Sequence, residues 1–308
     1  MSLAAFFQQL VNGLTLGGMY ALVALGYTMV YGIIQLINFA HGEVFMVGAF
    51  LGLFVLGLAS QVGIDSVAVA LCLAFLISML LTGLVGMGIE YIAYRPLRNS
   101  SRITLLLSAV GMSIFLQNLV MLVYSRDLQP FPRDITGGLD IHGVILANIQ
   151  ILIVVASVAM MIGLDILVHK TRLGQAMRAI AQDIEAAQMM GIDINHVIRL
   201  TFMVGSSLAA AGGIMTGLYY GGIKFDMGFM LGIKAFSAAV LGGIGSIRGA
   251  MLGGFVLGLC ETLLVAFFAA AGMSEAFDYK DVIAFAILIA VLIFKPSGLM
   301  GERSIEKV

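Results

Sequence analysis

Eight apolar stretches, read as helical crossings of a lipid bilayer, dominate this 308-residue chain, near residues 12–36, 44–60, 67–90, 103–124, 146–168, 199–222, 249–271 and 281–295. A helical crossing takes about 20 residues, so these runs and their connections use the whole length and leave no separate soluble domain. Only 11% of the residues are charged and 61% are hydrophobic, where a soluble domain carries about 25% charge. The sequence therefore predicts an all-α fold, a polytopic transmembrane helical bundle in which residues 1–308 form one domain embedded in membrane lipid. A net charge of −1 offers no basic surplus for nucleic acid. A ninth apolar piece, residues 233–247, is short, Gly-rich and bounded by Lys234 and Arg248. Beside the eight full spans it predicts one short or broken crossing, tolerable where irregular backbone is packed in protein or lines a cavity.

The few positive charges set the orientation. Arg95, Arg98 and Arg102 form one cluster, Lys170, Arg172, Arg178 and Arg199 a second, and Lys295, Arg303 and Lys307 a third, together ten of the 16 Lys and Arg. The positive-inside rule assigns all three to the cytoplasm. The loop at 125–148 then lies outside, and residues 233–247 must cross if the tail is to end inside. The same parity puts the N-terminus outside; an extra crossing near residues 3–12 would reverse it. No Lys or Arg precedes Arg95, so the first run lacks a signal-peptide n-region and is expected to be structural. Met46-Val47-Gly48-Ala49-Phe50 recurs as Met251-Leu252-Gly253-Gly254-Phe255, and Arg95-Pro96 matches Lys295-Pro296. This faint repeat has copies that run in the same direction.

No phosphate-cradling G-x-x-x-x-G-K-[ST] pattern occurs, since the nearest stretch, 242–249, lacks the Lys. No His, Asp or Glu cluster has metal-ligand or nucleophile spacing, so catalytic residues, metals and cofactors are not expected. Cys72 and Cys260 lie inside apolar runs and read as buried small hydrophobes. With no Trp, interfacial anchoring falls to Tyr20, Tyr91, Tyr94, Tyr124 and Tyr279, near the predicted span ends. His142 reads as a solvated loop residue, and Asp165 as the i,i+4 partner of His169.

Residues 169–199 are polar enough to leave the bilayer yet keep helical periodicity. Met177, Ile180, Ile184 and Ala187 fall at steps of three and four and form one apolar stripe, while Arg178, Gln182, Asp183 and Glu185 face away. Gly191 can close the helix. Such a helix suits a groove on a soluble partner or, equally, the lipid interface.

The residues themselves tip that balance. Glu185-Ala186-Ala187-x-x-x-Gly191 matches the E-A-A-x-x-x-G coupling motif of ABC-importer permeases, although the distal Ile-x-Leu-Pro of that motif is missing. Beside it stand Asn12-Gly13-Leu14, Gly26-Tyr27-Thr28-Met29-Val30-Tyr31-Gly32, Ile37-Asn38-Phe39-Ala40-His41-Gly42-Glu43, Tyr94-Arg95-Pro96-Leu97 and Ala238-Ala239-Val240-Leu241-Gly242-Gly243-Ile244-Gly245-Ser246. On these segments the whole chain closely resembles branched-chain amino-acid importer permeases of the LivH type. The resemblance implies a multi-pass permease subunit in a bacterial inner membrane, serving an ATP-driven importer of leucine, isoleucine and valine, and not itself an enzyme. It implies as partners two cytoplasmic ABC ATPase subunits, a second and distinct permease subunit, and a periplasmic amino-acid-binding protein. Glu185, Ala186, Ala187 and Gly191, with Arg178 on the same helix, would meet the ATPase. Two other readings stay open: an ion-gradient-driven secondary transporter, and an ABC permease for other amino acids, urea or short amides.

Polar groups at membrane depth are expensive enough to be functional candidates. Asn38, His41 and Glu43 lie between the first two runs, either along a substrate path or in a cytoplasmic-side turn that caps the flanking helices. Glu261 lies deeper, within the run at 249–271, where pairing with a neighbouring helix is the plainer role. Gly242, Gly243, Gly245 and Ser246 allow either close helix packing or a backbone-lined constriction.

Overall fold

The computed structural model describes residues 2–132, 135, 137–273 and 279–301; Arg303 and Lys307 of the third basic cluster lie outside the described residues. The apolar runs fold into α1 (Leu3–Ile34), α2 (His41–Gln61), α3 (Val67–Ile89), α4 (Arg102–Val123), α5 (Asn148–Lys170), α8 (Ile194–Tyr220), α9 (Met227–Gly242), α10 (Ile247–Ala270) and α11 (Lys280–Phe294). The polar loop folds into α6 (Arg172–Gln182) and α7 (Ile184–Met189). Among the described residues seven helical segments are long and apolar enough to cross a membrane. α9, with 16 residues, and α11, with 15, are shorter. The chain is thus a helical membrane bundle.

α1 is the central post. In its most apolar window 83% of the residues are buried, against 17% in α4. α10 runs antiparallel along it, α8 packs on another side, and α2 lies between α8 and α9. α3, α4 and α5 form the periphery and expose large apolar side chains such as Ile103, Leu107 and Leu122. Such a surface suits hydrocarbon and would be untenable in water. Cys72 is exposed on this periphery and Cys260 is half-buried, which corrects the expectation that both are buried in protein. An apolar run cannot say whether its neighbour is another helix or a lipid tail.

Several boundaries differ from expectation for local reasons. α1 begins at Leu3 because the Ser2 hydroxyl accepts the Ala5 N–H at 3.2 Å. Residues 3–12 are therefore the N-terminal end of the first helix and not an extra crossing. At that end Gln8 exchanges two hydrogen bonds with the Ile145 backbone, at 3.1 and 2.8 Å. Ile145 lies in a hairpin of β2 (Gly138–Ile141) and β3 (Val144–Ala147), whose turn holds exposed His142 in the left-handed region. A second small sheet pairs β1 (Gln129–Pro130) with β4 (Gly222–Ile223), so the segment after α8 lies on the same side. At the other end α3 widens into π-type turns over Glu90–Tyr94 before Pro96, which has no N–H to donate.

The short apolar piece expected at 233–247 falls largely in α9, which starts earlier, at Met227. Lys234 does not bound it but sits inside it, because carboxylates on neighbouring helices neutralise its charge. α9 ends at Gly243, whose φ of +107° needs glycine. The chain after α11 returns there: Leu299 and Met300 donate their N–H groups to the carbonyls of Leu241 and Gly242 at 2.8 and 2.9 Å, capping carbonyls the helix leaves open. Since α2 runs parallel to α8 while α8 and α10 both oppose α1, the repeated pentapeptides in α2 and α10 point the same way.

Candidate functional site

Four groups of candidate residues occupy different parts of the bundle, and two of them meet, since Arg178 lines one cavity with Gly245 and Ser246. Asn38, His41 and Glu43 sit where the chain turns back into the bundle. α1 ends at Gln35, in the left-handed region, and residues 35–40 carry the chain inward again before α2 begins. The Asn38 side-chain oxygen accepts the Ala40 N–H at 3.0 Å and the Tyr94 hydroxyl at 2.8 Å, a turn that launches α2. His41 then packs on Gly26 and edge-on against Tyr27, 4.8 Å between ring centroids. Gly26 lies about 12 Å along the helix from Ile34, so α2 starts well inside the bundle and not level with the end of α1. Gly42 meets Gly228 and Gly232 of α9 backbone to backbone, an approach only glycine permits. Glu43 is buried beside Gly228, in the first turn of α2 and next to the first turn of α9. Both helix starts favour negative charge there. Among the described residues His41 Nε2 and Glu43 Oε2 have no hydrogen-bond partner.

Glu261 belongs to a different cluster. Its Oε1 lies 3.1 Å from Lys234 Nζ and 3.8 Å from Lys280 Nζ, and its Oε2 accepts the Tyr20 hydroxyl at 3.0 Å. Lys234 Nζ also lies 2.6 Å from Asp281 Oδ1. Tyr20 and Tyr94, expected as interfacial anchors, are instead buried donors to Glu261 and Asn38, whereas Tyr91 and Tyr279 are exposed. Sequence reasoning missed Lys234, Lys280 and Asp281. The signal was present, since a lysine inside an apolar helix demands a counter-ion and Glu261 sits in the next run.

The loop at 169–199 holds two helices, not one. Asp183 is extended, at φ −157°, and its side chain accepts the Ala186 N–H at 3.0 Å, so it caps α7 and breaks the expected single stripe. Met177, Ile180 and Ala187 are buried as expected, but Ile184 is exposed. Arg178 does not simply face away: its guanidinium donates to the Val168 carbonyl at the end of α5. Glu185 is exposed, as are Met189 and Met190 beyond it, and Gly191 closes α7 with φ +83°. Asp193 then caps α8 through the His196 N–H at 3.1 Å. Gly242, Gly243, Gly245 and Ser246 form the turn between α9 and α10, where the Ser246 hydroxyl accepts the Gly249 N–H at 3.1 Å. Near this turn Asp165 pairs with both His169 and Arg248.

The model of one protein family, the branched-chain amino acid transport system permease component, matches residues 9–292. The chain belongs to this family. It is 47% identical over 308 residues to the high-affinity branched-chain amino acid transport system permease protein BraD of Pseudomonas aeruginosa, covering 98% of each chain. Its identity to the corresponding permease protein LivH is 44% over 309 residues in both Salmonella typhimurium and Escherichia coli, again with 98% of each chain covered. Among solved structures, "PsaBC from Streptococcus pneumoniae in complex with Fab" shares the fold at a TM-score of 0.50, with 14% identity over 95% of this chain and 92% of that one. The family member is accordingly a transport subunit and not an enzyme, and a multi-pass protein of the inner membrane. Its transport system carries branched-chain amino acids.

Proposed function

We propose that this permease is one of two that together enclose the path of an ATP-driven importer for leucine, isoleucine and valine. A periplasmic binding protein delivers the amino acid to the outer face, and two cytoplasmic ATPases close when ATP binds. Nine crossings, seven long and two short, would bring the first two basic clusters and Lys295 to one face. The observation that carries the reading is α7, a single capped turn and a half of helix that presents Glu185 to solvent between the inner ends of α5 and α8. In this reading α7 seats in the ATPase cleft, with Ala186 and Ala187 keeping the seat narrow, and closure of the ATPases is passed through α6 to the Val168 end of α5. The second permease is a related, distinct subunit.

The test is gentle purification from the native membrane, with assay for bound ATPases and for ATP hydrolysis stimulated by a leucine-loaded binding protein. Co-elution and stimulation are expected. Glu185→Lys leaves the chain inserted and lowers ATPase recovery at least several-fold. A lone chain that moves substrate down an ion gradient, or unchanged ATPase recovery with Glu185→Lys, overturns the assignment of α7.

A further inference from the structure

We infer that a chamber beside Lys234 is a binding subsite for the zwitterionic head of the transported amino acid, an inference that rests on the importer reading above. The chamber holds about 300 Å³ and is lined by Tyr20, Tyr220, Met227, Met230, Lys234 and Asp281, a volume at the small end of the range for small-molecule sites. The ions around it include two ammonium groups, Lys234 and Lys280, and two carboxylates, Glu261 and Asp281, linked by contacts under 4 Å, while a third ammonium in the lining, Lys224, is paired with Asp226 at 3.1 Å. The two carboxylates are unlike. Glu261 is fully buried and held by Tyr20 as well as Lys234, so it is a fixed counter-ion. The Asp281 side chain is 43% exposed and touches only the Lys234 ammonium among the described ion pairs, while Lys234 itself is 9% exposed.

An amino acid suits this arrangement by charge balance. Its ammonium takes Asp281, its carboxylate takes the Lys234 group that Asp281 gives up, and no net charge is added at membrane depth. A lone amine leaves Lys234 with Glu261 as its counter-ion and a lone carboxylate leaves Asp281 without its cation, so each adds a net charge to the cluster that the amino acid does not. The thioethers of Met227 and Met230 form a deformable wall, which accommodates branched side chains of different shape. Glu43, whose Oε2 has no hydrogen-bond partner, makes no ion pair among the described residues, so it does not compete for this role.

The test uses the assembled importer in nanodiscs without binding protein, labelled with a diazirine analogue of leucine and mapped by mass spectrometry. Adducts are expected on Met227 or Met230. Excess leucine suppresses them, while 3-methylbutylamine and 4-methylpentanoate at equal concentration do not. Asp281→Asn lowers labelling at least tenfold and Asp281→Glu restores most of it. Equal suppression by the amine or the acid, adducts confined elsewhere, or undiminished labelling of Asp281→Asn overturns the subsite. The ligand series on the unaltered complex decides the matter even if a variant does not fold. Leucine uptake is measured in parallel with binding protein and ATP: uptake without labelling removes the subsite alone, whereas no ATP-dependent uptake removes the importer reading on which it stands.

Discussion

Two buried carboxylates inside this bundle are treated in opposite ways. Glu261 is surrounded by donors, with an ammonium 3.1 Å away and a tyrosine hydroxyl at 3.0 Å. Glu43 is as deeply buried, yet one of its oxygens has no donor among the described residues, and its surroundings are the backbone of Gly228 and the first turns of α2 and α9. The first carboxylate binds helices together: α1, α9, α10 and α11 each contribute a charged or hydroxyl group to its cluster. The second has one oxygen without a donor among the described residues and lies where two helix starts meet. A charge of the first kind is a structural tie that must be kept whole, while a group of the second kind can lose its charge at little cost.

The largest effect should come from breaking the tie. Lys234→Ala strips Glu261 of its nearest cation and is expected to destabilise the protein by about 3–5 kcal/mol, read as a lower unfolding midpoint in detergent. Replacing Lys234 and Glu261 together with Met and Leu should recover most of that loss. Tyr20→Phe removes one hydrogen bond to a charged acceptor and should cost about 1.5–3 kcal/mol in the same assay. Glu43→Gln, which keeps the shape and removes the charge, should change stability by less than about 1 kcal/mol. A Glu43→Gln midpoint depressed as far as that of Lys234→Ala would erase the distinction between the two sites.

Much of the helical layout was legible in the sequence because hydrophobicity over about 20 residues is a one-dimensional property. The positions of α2, α3, α4, α5 and α10 followed from it, and so did a short apolar helix in the region of α9. The start of α1 did not, because a cap at Ser2 and the Gln8–Ile145 hydrogen bonds extend a helix whose outer turns are only moderately apolar. The break at Asp183 was missed for a related reason. The periodicity of 177–187 runs through it, and only the side chain folding back on the Ala186 N–H marks the end of one helix and the start of the next.

The candidate site was legible in kind more than in arrangement. Glu185, Ala186, Ala187 and Gly191 could be picked out because their spacing is local, within one short helix. Glu261 could be picked out as an ion at membrane depth, but not its partners, which come from α1, α9 and α11, far away in the chain.

By itself the sequence determined that this chain is a multi-pass helical membrane protein and where most of its long apolar helices lie, since both depend on composition along the chain. Only the tertiary structure decided which apolar faces meet protein and which meet lipid, that Tyr20 and Tyr94 are buried donors, and that Lys234 has Glu261 and Asp281 to neutralise it. Those outcomes depend on distances of about 3 Å between groups that the sequence keeps far apart, and electrostatic pairing and close packing are decided at that range.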